Sequence, residues 1–187
     1  MSRTKVVSYG PHVQMIILRN DMQYKDLSRY TRSNNEKLNN VFNIGWLNGS
    51  KYKVGIVSEE VLSKLKLIYK GNNKYSSEVN LLRGPSEKCK LCNELIQEIG
   101  PGGGISELGC SEIWIKKNDR IYASPSLIIH YIEEHKYQPP FEYVKAVLEV
   151  DLNNQFNAQQ EKMSMLLNGT REDKKKRRFF DFWKVKS

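Results

Sequence analysis

Apolar residues recur at helical spacing after Ser58, where Val61, Leu62, Leu65 and Ile68 share one face, Glu59 and Glu60 fill the first turn and Gly71 follows as a stop. This predicts a helix between Ser58 and Gly71. Before it, residues 41–57 place apolar segments on either side of Asn48-Gly49, which predicts a short hairpin carrying Trp46 and Val54 toward a core. Residues 20–40 are polar and read as a loop or a weak helix, and Val13 to Leu18 reads as a short strand after Gly10-Pro11.

The second half is more strongly patterned. Residues 71–88 read as a polar connector, Asn93 to Ile99 as a short helix, and Pro101-Gly102-Gly103-Gly104 as a flexible point. A hairpin is predicted from Glu112 to Tyr122 around Asn118-Asp119. Ser124 with Pro125 then reads as a helix start, with the helix running to His135 and stopped by Pro139-Pro140. Phe141, Val144, Val147, Leu148, Leu152 and Phe156 keep helical spacing, so a further helix is expected from Phe141 to Leu167, ended by Gly169. The sum is an α+β fold: an N-terminal extension over 1–40, a mixed domain over 41–168, and a tail over 169–187.

Within that domain, Cys89 and Cys92 form a C-x-x-C pair that His130 and His135 answer with H-x4-H. Two thiolates and two imidazoles suit one tetrahedral Zn²⁺. The metal would staple a ββα unit within residues 85–140. The long spacer between Cys92 and His130 exceeds that of a short finger, and Cys110 is an alternative to one of the histidines. Five residues along a helix rotate a side chain by roughly 140° from its starting direction, so both histidines reach one ion only if the last turn unwinds. The prolines that follow favour such an end.

Composition narrows the class. With 187 residues and 39% hydrophobic content the chain can build a core of ordinary size. Its longest apolar run, Met15 to Leu18, falls far short of the roughly 18 residues that span a bilayer, so a cytoplasmic protein is expected. Three cysteines, two of them in one C-x-x-C, make a poor disulfide framework. The formal net charge of +9 is concentrated at the end, where residues 171–187 hold eight basic and three acidic side chains. There Lys174, Lys175, Lys176, Arg177 and Arg178 precede Phe179, Phe180, Phe182 and Trp183. Cations attract phosphates and aromatics stack on bases, which makes nucleic acid the expected partner of this tail ahead of a membrane surface. A solvated end, or aromatics folded back on the domain, is the plainer alternative.

Several segments also resemble an uncharacterised family of small bacterial proteins. They are Gly45-Trp46-Leu47, Arg83-Gly84 ahead of the cysteine pair, Tyr122-Ala123-x-Pro125, and H-Y-I-x-x-H-x-Y-x-P-P-F from His130 to Phe141. Where that family carries an aspartate after Gly-Trp-Leu and a histidine before the cysteines, this chain has Asn48 and Ser86. The resemblance implies one coherent domain and brings no activity with it.

Two functions follow as expectations. One is a zinc-stabilised binding or regulatory module that contacts nucleic acid or a protein. The other is a metal-dependent nuclease or hydrolase of ββα-metal type, with Glu112 as acid or base, although the hairpin lacks the histidine such an enzyme uses to activate water. A four-ligand site is closed to water, which favours the binding module.

Overall fold

A computed structural model describes residues 24–31, 37–49, 51–71, 76–78, 88–100, 103–153 and 156–167. In chain order its elements are β1 (Arg29–Thr31), β2 (Lys37–Asn43), α1 (Glu59–Lys70), β3 (Ser76–Glu78), β4 (Gln97–Ile99), β5 (Ile105–Glu107), β6 (Ser111–Lys117), β7 (Arg120–Pro125), α2 (Ile128–Glu133), α3 (Phe141–Leu148) and α4 (158–167). Five strands form one sheet in the order β1-β2-β7-β6-β3, with β2 and β7 parallel and the other neighbours antiparallel. A separate hairpin pairs β4 with β5. The α+β class stands, and among the described residues no helix is long and apolar enough to cross a membrane.

The sheet is buried on both faces because its central strands alternate between two cores. Ile113, Ile115 and Tyr122 face a core with Val61, Leu65 and Ile68 of α1, Ile128 and Ile132 of α2, and Tyr143 and Val147 of α3. Trp114, Ile121 and Ala123 face the other, with Tyr30, Leu38, Val41 and Ala158. The hairpin β6–β7 turns at Asn118-Asp119 as expected, with Asn118 at φ 54°. Helix α1 also matches its pattern, burying Val61, Leu62, Leu65 and Ile68, with Gly71 at its end.

Several expectations are corrected. The hairpin over 41–57 does not form. Strand β2 ends at Asn43, and Gly45, at φ 66°, gives its N–H to Asp26 Oδ1 at 2.8 Å, turning the chain off the sheet. A side chain at Gly45 would meet Ile128 and Tyr137 at 3.1–3.2 Å, so the residue also permits close packing. Beyond it, Val54 is 64% exposed and makes an isolated bridge to Tyr137. Trp46 does turn partly inward, donating its indole N–H to Ala123 O.

The polar stretch 20–40 is neither loop nor helix throughout, since it supplies β1 and the start of β2. Asn40 at φ 64° and the slipped β1–β2 register mark an irregularity that places Leu38 and Val41, three apart, in the same core. The sheet thus draws one strand and the start of a second from the expected N-terminal extension, and position 41 falls inside β2.

The expected helix over 93–99 is instead an irregular segment over 93–96 followed by strand β4. Ser124 does not cap a helix, because β7 continues through Pro125 and the Ser124 hydroxyl is buried against Ile113 O and the Tyr143 hydroxyl. Helix α2 begins only at Ile128. The single helix over 141–167 is two. Asp151 accepts the Asn153 N–H through its side chain, and Asn157 Oδ1 accepts the Gln160 N–H at 2.9 Å as the cap of α4. Strand β3 lies in the connector over 71–88. The strand over 13–18 and the tail over 169–187 lie outside the described residues.

One side chain ties the N-terminal turn to the middle of the domain. Asp26 accepts the Gly45 N–H and, through Oδ2, the Tyr137 hydroxyl at 2.8 Å. Burial first, and then the charge of Asp26, hold the fully buried Tyr137 phenol well above its usual pKa, so it stays a donor. Asp26→Ala would orphan both donors. It is expected to cost about 1–3 kcal/mol in urea denaturation; an unchanged midpoint would show that residue 26 carries no weight in the domain.

Candidate metal centre

The first two donors come from a tight knuckle. Cys89 N–H donates to Glu94 O at 2.9 Å and Asn93 N–H donates to Cys89 O at 2.8 Å. Asn93 takes φ 63° to close the turn. Leu91 N–H points at Cys89 Sγ, 3.4 Å away. Cys89 is fully buried in the helical-side core, whereas Cys92 lies at the surface.

The other two donors come from α2 and the residues after it. His130 is buried within the helix, and its carbonyl accepts the Glu134 N–H to close the last turn. The chain then leaves helical geometry. Lys136 adopts φ 53° and Tyr137 N–H returns to Tyr131 O at 2.9 Å. His135 lies just past the end of α2, and its imidazole nevertheless comes back alongside that of His130. The Tyr52 hydroxyl holds the His135 carbonyl at 3.3 Å, and the Tyr131 ring lies 6.3 Å from each imidazole.

These elements bring four side-chain atoms together. Cys89 Sγ lies 3.3 Å from His135 Nε2, Cys92 Sγ lies 3.4 Å from His130 Nε2, and the two Nε2 atoms are 3.1 Å apart. All four lie within 4.8 Å of one another, positioned to hold a metal ion. Electrostatics agree with that role. Burial pushes the Cys89 thiol up, against a smaller opposing pull from the backbone N–H groups of Cys92 and Leu91, so ionising it calls for a compensating cation. Burial, followed by the charge of His135, pushes His130 down and favours the neutral imidazole, the form that ligates.

The remaining expected residues lie elsewhere. Cys110 is exposed, its thiol directed to Glu107 O at 3.2 Å, and it is not among the four converging donors. Glu112 is not beside the cluster: it alternates with Ile113 and Ile115, and its carboxylate joins Tyr30 and Trp114 in the core on the sheet's other face. Lys174, Lys175, Lys176, Arg177 and Arg178 lie outside the described residues. The supports Asp26 and Tyr52 escaped the sequence reading because their partners are distant in sequence, whereas Tyr131 sits between the two histidines in the sequence itself. Lys66 was also missed; it bridges Glu133 of α2 at 2.9 Å and Glu98 of β4 at 3.3 Å, tying the hairpin after the knuckle to the helix that bears His130.

The chain belongs to the family described as a domain of unknown function (DUF7919), whose model matches residues 22–148. That stretch runs from before β1 to the end of α3 and contains all four converging donors. No curated protein and no solved structure matches the chain.

If the cluster binds metal, Cys89→Ser should cost several kcal/mol in chemical denaturation of metal-loaded protein, since binding free energy becomes folding free energy. Cys110→Ser should stay within about 0.5 kcal/mol, as an exposed substitution outside the four converging donors. Equal, small effects of the two substitutions would remove the cluster from the account.

Proposed function

We propose that the domain is a zinc-stapled binding module, with no catalysis at the metal, that presents its basic tail to nucleic acid. The observation that carries the first part is the convergence of two sulfurs and two imidazole nitrogens. Zinc bonds of about 2.3 Å to sulfur and 2.0–2.1 Å to nitrogen, at tetrahedral angles, separate sulfur from nitrogen by roughly 3.5 Å and nitrogen from nitrogen by roughly 3.3 Å. The separations of 3.3, 3.4 and 3.1 Å approach those values. Two thiolates would balance the charge of Zn²⁺, so the half-buried site would be neutral overall.

Cys89, Cys92, His130 and His135 would hold the ion and cross-link the knuckle to the end of α2. Four protein donors complete a tetrahedron and leave no position for water. The carboxylate of Glu112, on the opposite face of the sheet, is not placed to serve the metal as a base. The site's chemistry is thus that of a staple. What supports nucleic acid as the partner is the sequence of the tail, where five consecutive cations precede four aromatic residues within 179–183.

The test uses the full chain loaded with zinc and mixed with duplex DNA at increasing salt. Binding is expected with a logarithmic salt slope of up to about 4.5, at roughly 0.9 for each phosphate neutralised by Lys174 to Arg178, and with the DNA left intact. Replacing those five residues by glutamine should flatten the slope without changing zinc content. Absence of binding at low salt would contradict the partner. DNA cleavage abolished by Cys89→Ser in folded protein would contradict the closed site and favour the hydrolase.

A further inference from the structure

Helix α4 places a lysine where its apolar face meets the sheet. Ala158 is fully buried there, Met165 and Leu166 pack against the same core, and Lys162 shares this face at helical spacing, only 9% exposed. A cation so deep in an apolar contact requires a partner. Its Nζ donates to Glu112 Oε2 at 3.1 Å, a carboxylate itself only 1% exposed.

Three side chains of the sheet meet that ammonium. Tyr30 of β1 donates its hydroxyl to Glu112 Oε1 at 2.8 Å, and Trp114 of β6 donates its indole N–H to Oε2 at 2.7 Å. The two rings meet edge to face with centroids 5.8 Å apart. Lys162 Nζ sits 5.6 Å from the Trp114 ring and 6.0 Å from the Tyr30 ring, within the range where a ring's quadrupole attracts a cation. Two neutral donors orient the carboxylate but leave its negative charge uncompensated. The pocket therefore selects a positive charge over a neutral group. An ammonium serves because it can donate to the oxygen while lying against both rings, and the aliphatic chain behind it lies along apolar surface.

Tyr30, Glu112 and Trp114 lie within the stretch matched by the family, 22–148, and Lys162 lies after it. The cage and its occupant thus come from different parts of the chain. We propose that Glu112, Tyr30 and Trp114 form a binding site for an unbranched primary alkylammonium group, and that Lys162 occupies this site in cis, seating α4 on the sheet. The site is independent of the metal, from which the sheet separates it.

The test is chemical rescue of full-length Lys162→Ala with n-butylammonium, followed by thermal melting. The substitution should lower the melting temperature by more than about 5 °C, because it leaves a buried carboxylate without its cation. Butylammonium should restore part of that loss with a saturable concentration dependence, and n-butanol at the same concentrations should not. The double variant Glu112→Gln, Lys162→Ala should show no recovery with either. If Lys162→Ala does not fold by itself, refolding it from urea with each additive reads the same difference. No response to butylammonium, or an equal response to butanol, would overturn the site and leave Lys162 as an ordinary packing residue.

Discussion

Two imidazole nitrogens 3.1 Å apart, each within 3.4 Å of a cysteine sulfur, form a cluster whose geometry makes sense around a shared cation. The elements that supply it are weak by themselves. Helix α2 has six residues, well below the length at which an isolated helix is stable in water. The knuckle over 89–94 has no regular secondary structure and is held by a few backbone hydrogen bonds. A metal at this point would fasten both, and with them the β4–β5 hairpin that leaves the knuckle and reaches α1 and α2 through Lys66.

The sheet separates two chemistries. On one face the helices α1, α2 and α3 cover an aliphatic and aromatic core with the cysteine knuckle at its edge. On the other, a smaller core contains a buried ion pair, Glu112 with Lys162, framed by Tyr30 and Trp114. Such a pair is weak evidence for stability, because removing two charges from water costs several kcal/mol that their attraction must offset. Its value lies in specificity. It sets Lys162 of α4 against the sheet and holds Glu112 on the face opposite the core that contains Cys89.

The features legible in the sequence were those set by local spacing. C-x-x-C and H-x4-H announced a two-pair cluster, and the four donors do converge, with α2 ending at Glu133 before the second histidine. Helix α1 and the hairpin β6–β7 were likewise legible from stripe, stop and turn residues close in sequence, although the Ser58 side chain makes no capping hydrogen bond. What failed depended on distant partners. Asn48-Gly49 between apolar segments looks the same whether those segments pair with each other or, as here, β2 pairs with β7. The irregularity at Asn40 broke the alternation that would have revealed β2. Leu152 and Phe156 kept helical spacing across the break between α3 and α4 because both still pack on the core, so Asp151 and Asn157 were the better signals. Nothing in the local spacing singles out Lys162, whose partner Glu112 is distant in sequence.

The central claim, that Cys89, Cys92, His130 and His135 share one zinc ion, is tested most directly by X-ray absorption at the zinc edge on protein purified without chelator. The account predicts one zinc per chain, with two sulfur neighbours near about 2.3 Å and two nitrogen neighbours near about 2.0–2.1 Å, and no oxygen in the first shell. Metal-free protein, or a zinc shell containing a water oxygen and only three of these donors, would contradict it.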